Sequence, residues 1–197
     1  MSDSSIETQW SRIESWLQEN APLSHAELLD RDPEAVGVLA ERLSYDLPPD
    51  LWTYFQVQPG ARRTHAARIL VSHRPLGPRD AVDESDGWRS LYETLDPDMT
   101  LHSADNPAGG MAWAWLPQFV PLSEDYSGNM YFADLRAGPL RGCVKFFDHE
   151  EGALLPPAWS GVVEMLTDLA ASLEEGRPCD HRQPHVLPGG VLDWEVV

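Results

Sequence analysis

Three clusters in this chain gather side chains able to do chemistry. Cys179, His181 and His185 place a thiolate and two imidazoles close together, and these are the ligand types of a zinc centre. A structural zinc site takes four ligands in a folded frame, however, and these three sit among Pro178 and Pro184 with no obvious fourth partner, so no metal is expected. Asp148-His149-Glu150-Glu151 sets an imidazole among carboxylates, a grouping of the kind that does acid–base work. The same four residues follow an apolar run and read more simply as a solvated turn. Asp125 and Asp134 flank a turn and a strand end, where the favoured roles are turn hydrogen bonding for Asp125 and an inward polar network for Asp134. No Gly-x-Ser-x-Gly elbow, phosphate-cradling Gly-Lys loop, dinucleotide fingerprint or His-Glu-x-x-His sequence occurs. The chain is therefore read as a non-enzyme with no catalytic residue, no metal and no cofactor.

Aromatic residues offer a different chemistry, that of recognition. Of the eight Trp, Trp10, Trp16, Trp88 and Trp159 fall on helical core faces and read as structural. Trp113 and Trp115 open the stretch Trp113 to Leu135, in which two apolar arms flank a polar segment, Ser123 to Asn129, with the Asp, Ser, Gly and Asn of a chain reversal. Read as a strand, the first arm puts both Trp on one face and Ala114 and Leu116 on the other, so the Trp pair meets either the core or a partner. Rings of this kind anchor protein interfaces. Candidate partner-binding residues are Trp113, Trp115, Glu124, Asp125, Tyr126 and Asn129.

The elements that must position this hairpin follow from periodicity and punctuation. Ser4 and Glu7 have the spacing of a capping box, ahead of Ile6, Trp10, Ile13, Trp16 and Leu17 on one helical face that ends near Asn20-Ala21-Pro22. A short turn starts at Ser24. Asp32-Pro33-Glu34 opens a second helix carrying Val36, Leu39 and Leu43. Leu47-Pro48-Pro49-Asp50-Leu51 breaks the chain and restarts it as a short helix with Leu51, Trp52 and Phe55, stopped by Gln58-Pro59-Gly60. The β-branched run Arg68 to Ser72 predicts a strand. Ser85 or Asp86 caps a helix in which Trp88, Leu91, Tyr92 and Leu95 share a face, and Asp96-Pro97 ends it. Asp98 to Gly110 reads as a loop. Gly142 to Phe147 predicts a strand, and Trp159 to Leu173 one helical face closed by Gly176. Val191 to Val196 alternates as an edge strand does.

Composition limits the partners. Against 32 acidic residues stand 14 basic ones, of which Lys145 is the sole lysine, for a formal net charge of −18. Phosphate backbones and anionic membranes require clustered Lys and Arg, so neither nucleic acid nor membrane is an expected partner. Either the charge serves solubility or it shapes a surface for a basic protein. It is also uneven: Ala61 to Arg79 holds five Arg, two His and no acid, whereas the first sixty residues hold eleven acids and three Arg. That island either binds an anion or a partner, or is a solvated strand-and-loop region pairing with acids of the same chain, the plainer of the two readings. Two cysteines are too few for a disulfide framework, and Met-Ser-Asp-Ser-Ser lacks the basic-then-apolar order of a secretory signal. A cytoplasmic location is expected.

Taken in order, Trp16-Leu17, Leu43 leading to Leu47-Pro48-Pro49-Asp50-Leu51, Gly60, Trp115-Leu116-Pro117, Asp125 to Gly128, Ala133-Asp134-Leu135 and Trp159 to Leu173 resemble the motif series of the SUKH superfamily, which includes the fungal Smi/Knr cell-wall assembly regulators. Pro59-Gly60 stands where that family often has Asn-Gly. The resemblance implies a single α+β domain over residues 1–176, a mostly antiparallel sheet with helices packed against it. Residues 177–197 would form a C-terminal extension that suits an added edge strand. It implies a protein-binding module without a shared catalytic mechanism: first, an intracellular immunity protein that neutralises a toxin of a polymorphic or contact-dependent system by occlusion, its partner a basic toxin domain. The alternative is a regulatory scaffold in cell-envelope or signalling pathways, with an enzyme third.

Overall fold

A computed structural model of the chain describes residues 5–43, 46–95 and 97–197. Helix α1 (Ile6–Asn20) buries Ile6, Trp10, Ile13 and Leu17 on one stripe. Ser4 lies outside the described residues; the cap is Ser5, whose Oγ accepts from Thr8 N at 3.2 Å. A single turn, α2 (Pro22–His25), leads to α3 (Ala35–Leu43), where Asp32 Oδ1 accepts from Ala35 N at 3.1 Å as the sequence predicts. Pro49 opens α4 (Pro49–Val57), and a 3-10 turn over His65–Ala67 follows.

Arg68 to Ser72 is not a strand. Val71 and Ser72 take left-handed backbone angles (φ 48° and 70°), and Leu70 and His73 close a tight reversal with mutual backbone bonds of 2.9 Å. The run is apolar because Ile69, Leu70 and Val71 are buried, not because it is extended. Strand β1 comes afterwards and is only Arg74–Pro75. Helix α5 (Pro78–Leu95) also starts earlier than Ser85, because Pro78 fits the first helical turn and Ala81 and Val82 continue the buried stripe. Its Trp88 and Tyr92 pack on the sheet, but Leu91 and Leu95 are exposed, since the helix outruns the surface it covers. Where a loop is predicted, Pro97–Ala104 forms helix α6. Asp96 lies outside the described residues.

The main sheet is antiparallel with order β1-β2-β3-β4, its last three strands being β2 (Phe119–Glu124), β3 (Met130–Asp134) and β4 (Val144–Phe147). Alternation sorts its side chains into two layers. Val120, Leu122, Tyr131, Ala133 and Val144 face the core shared with α1, α3, α4 and α7 (Val162–Glu175). Phe119, Met130, Phe132 and Phe147 face a second cluster with Ala112, Trp115, Leu116 and Ala153, against which Trp88 and Tyr92 rest. Helix α7 starts three residues after Trp159 and ends at Gly176, whose left-handed backbone (φ 66°) donates to Ser172 O.

The tail does not extend this sheet. β5 (Arg182–Leu187) and β6 (Val191–Val196) form their own two-stranded hairpin. Leu192 and Trp194 drop from it into the main core, and Trp194 Nε1 donates to Arg68 O at 3.1 Å. The alternation read from the sequence is correct. What it cannot specify is which strand lies alongside.

Candidate partner-binding site

The turn between β2 and β3 is built on one carboxylate. Asp125 Oδ1 accepts from Ser127 N at 2.8 Å, Ser127 Oγ at 2.8 Å and Asn129 N at 3.1 Å, while Oδ2 accepts from Asn129 Nδ2 at 2.8 Å. Partial burial alone would raise this carboxyl, but the bonds from Ser127 and Asn129 outweigh it and hold the group below the usual range. Asn129 continues the chain of contacts, its Oδ1 accepting from His149 N at 3.0 Å. The Asp148 carboxylate in turn accepts from the backbone N–H of Glu150 and Glu151, so this second polar segment is a turn closed on itself.

Tyr126 ties that turn to the arginine island. With φ at 73°, it donates its hydroxyl to Thr64 O at 2.7 Å and carries two guanidinium groups over its ring, Arg63 at 5.6 Å and Arg68 at 5.4 Å from the ring centre. Each such contact contributes about 0.5–1 kcal/mol where water has access. The island thus meets acids and carbonyls of its own chain. Arg74 is buried on Glu124 (Nε to Oε1 2.9 Å) and Asp80 (2.6 Å), Arg63 reaches Glu124 at 3.3 Å, and Arg79 reaches Asp32 at 2.9 Å.

Of the six candidate residues, Asp125, Tyr126 and Asn129 share the turn, and three lie elsewhere or inward. Trp113 to Gln118 is not strand but an irregular approach to β2, anchored by Ser103 Oγ, which accepts from Trp113 N and Ala114 N. Without the strand the Trp pair separates. Trp115 is 0% exposed and meets Phe119, Phe132 and Phe147 edge-on at 5.1–5.5 Å, so no partner reaches it, whereas Trp113 is 39% exposed. Glu124 is also buried, committed to Arg74 and Arg63. Of the other chemistry-bearing residues, His149, His181 and His185 are exposed, whereas Cys179 and Asp134 point inward. Cys179 donates to Asp168 Oδ2 at 3.2 Å, its thiol pushed up by burial. Asp134 accepts from Gly109 N and from the Arg136 backbone and guanidinium.

Sequence reasoning missed what surrounds the turn. Arg68, Ser72, His73, Asp125, Tyr126, Ser127 and Arg182 line a cavity of about 390 Å³. His73 is 2% exposed; its Nδ1 lies 2.9 Å from the Val71 carbonyl, so that nitrogen carries the proton, and Nε2 has a lone pair without a partner among the described residues. Burial lowers its pKa to about 4, only partly countered by the Val71 bond, and the ring is neutral at pH 7. Arg68 Nε is likewise buried without an acceptor. Among the described residues the non-glycine left-handed positions are Val71, Ser72, Tyr126, Asp180 and His181, all in or next to this cavity or the strand leading Arg182 into it. Strain of this kind, about 1–3 kcal/mol per residue, gathers at functional sites. The arginine island was the available signal. Arg182 and the two buried nitrogens gave none.

No family model matches the chain. The cell wall biosynthesis/cell cycle regulator smi1 of Schizosaccharomyces pombe is 24% identical over 188 residues, covering 87% of this chain and 37% of that protein. A glucan synthesis regulatory protein of Neurospora crassa is 25% identical over 214 residues, covering 87% of this chain and 39% of that protein. The chain thus spans less than two fifths of the length of these relatives. Among the described residues no helix is long and apolar enough to cross a membrane. The two matches agree with the motif series read from the sequence: over most of its length the chain is similar to fungal proteins named as regulators of cell wall biosynthesis or glucan synthesis.

Proposed function

We propose that this chain is a non-catalytic protein-binding module of regulatory type. The carrying observation is its similarity, over 87% of its length, to two proteins named as regulators of cell-wall or glucan synthesis. The turn supports the same reading, because Tyr126, Ser127 and the adjoining arginines present an aromatic ring and several donors on one rigid surface. A photo-reactive residue at Ser127, in the cells that make the protein, is expected to crosslink a discrete set of proteins. One at Glu41, exposed on α3, is not. The same pattern from both positions, or none from Ser127, overturns the reading.

A second reading rests on the net charge of −18. In it the chain is an immunity protein that occludes a basic toxin, its acidic surface steering encounter with the groove that would hold phosphate. Co-expression with a toxin encoded beside it tests this directly. Failure both to rescue growth and to form a complex removes it.

A further inference from the structure

The cavity at the turn has a neighbour of opposite character. A second hollow, of about 190 Å³, is walled by Tyr131, Phe146 and Leu155, and it shares His73 and Arg182 with the first. The paired cavities therefore present guanidinium donors on one side, apolar walls on the other, and a buried imidazole between them. Among the described residues the Arg182 side chain has neither an ion pair nor a hydrogen bond, and Arg68 makes only a 3.4 Å contact to Asp125 O besides its place over Tyr126. One carboxylate stands in each lining, and both are engaged: Asp125 by its own turn, Asp180 by the Tyr131 hydroxyl.

These groups define what can enter. Two guanidiniums beside two engaged carboxylates favour a single negative charge over a dianion such as phosphate. The neutral His73 ring offers an acceptor, so the ligand must also bring a donor close to its anionic group. An apolar group must follow within a few bonds. A polypeptide C-terminus has all three in one residue: a carboxylate, its own backbone N–H and a side chain.

We propose that the paired cavities receive the C-terminal residue of a protein partner, with Arg68 and Arg182 holding the carboxylate, His73 Nε2 accepting the last backbone N–H, and an apolar last side chain seated against Tyr131, Phe146 and Leu155. This rests on the protein-binding reading above and gives it a chemistry. The strained backbone at Ser72, Tyr126, Asp180 and His181 fits a site shaped before its ligand arrives, which limits the ordering cost of binding.

The test is fluorescence anisotropy with the intact chain and an array of labelled octapeptides ending in Leu, Val, Phe or Asp, each as free acid and as C-terminal amide. Members of the Leu, Val or Phe free-acid sets are expected to bind saturably and to weaken by at least about tenfold on amidation. Peptides ending in Asp are expected to bind as weakly as the amides. Arg182→Gln, on a half-exposed strand position, should cost about tenfold with unfolding unchanged, and His73→Asn, which keeps a donor for Val71 but lacks Nε2, a few-fold. Equal binding of acids and amides overturns the proposal, as does binding of inorganic phosphate with no peptide bound. An array without binders, beside specific crosslinks from Ser127, overturns this proposal and leaves the protein-binding reading standing; an array without binders and no specific crosslink from Ser127 removes both.

Discussion

At the scale of single residues, the informative positions are buried polar groups. His73 is held neutral because its surroundings desolvate the ring, lowering its pKa from 6.5 to about 4, while Arg68 and Arg182 add to the effect and Asp125 opposes it. Its folded pKa lies below the unfolded one, so the unfolded chain binds more protons between those values and stability falls on acidification through that window. The loss attributable to this ring by pH 4 is about 3 kcal/mol. His73→Asn does not titrate there. Urea unfolding of the two proteins from pH 7 to pH 4 should therefore show the parent losing stability faster than the variant, and parallel curves would exclude the assignment. Asp134 makes a second case. It is 0% exposed and is the counter-ion of Arg136, 3% exposed, whose guanidinium also donates to the carbonyls of Ser103 and Gly110. Asp134→Asn leaves that cation buried beside a neutral amide. A loss of about 3–5 kcal/mol is expected as a lower urea midpoint at unchanged slope.

At the scale of elements, the segment that carries Trp113 and Trp115 is set by a backbone crossing. Ala112 and Ala153 exchange hydrogen bonds, and Gly152 next to them has φ 89°, with the position of a Cβ only 2.5 Å from Ala112 O and 2.8 Å from Trp113 Cα. Gly142 has a similar φ of 94° but, among the described residues, nothing within 4 Å of its Cβ position. Gly142→Ala should thus cost only backbone strain, about 1–2 kcal/mol, whereas Gly152→Ala must also displace the crossing and should cost more than about 2 kcal/mol. Equal thermal shifts for the two would show that the close approach carries no weight. The same contrast explains what was legible in the chain. Helices α1 and α7 were readable because their stripes repeat at helical spacing and terminate in recognisable residues, and the hairpin because turn residues separate two apolar arms. Arg68 to Ser72 misled because β-branched burial looks alike in a strand and in a tight reversal. Trp113 and Trp115 do not share a face as their spacing predicts, because alternate residues do so only in a strand and the backbone there is irregular. The cavity was illegible for a further reason: its arginines come from the island and from the tail, and only tertiary packing, through Trp194 on the Arg68 carbonyl, sets them side by side.

At the scale of the whole molecule, charge and fold act against each other. A net charge of −18 on 197 residues repels itself in the compact state more than in the extended one. The ion pairs that oppose this fall into two groups. Arg74 with Glu124 and Arg136 with Asp134 are buried, and salt screens them little. Arg42 with Asp86, Arg79 with Asp32 and Arg31 with Glu14 are exposed, and pairs of that kind contribute about 0–1 kcal/mol each. Raising sodium chloride from about 10 mM to about 1 M shortens the screening length from about 30 Å to about 3 Å, which weakens the long-range repulsion together with these exposed pairs. Since the acids outnumber the bases by more than two to one, the repulsion is the larger loss, and the melting temperature should rise by about 2–4 °C, equivalent to about 1 kcal/mol in a chain of this size. Circular dichroism melts across that range decide the sign. A falling melting temperature would mean that the exposed pairs outweigh the repulsion, and that the acidic surface is already balanced within the molecule instead of being held for a basic partner.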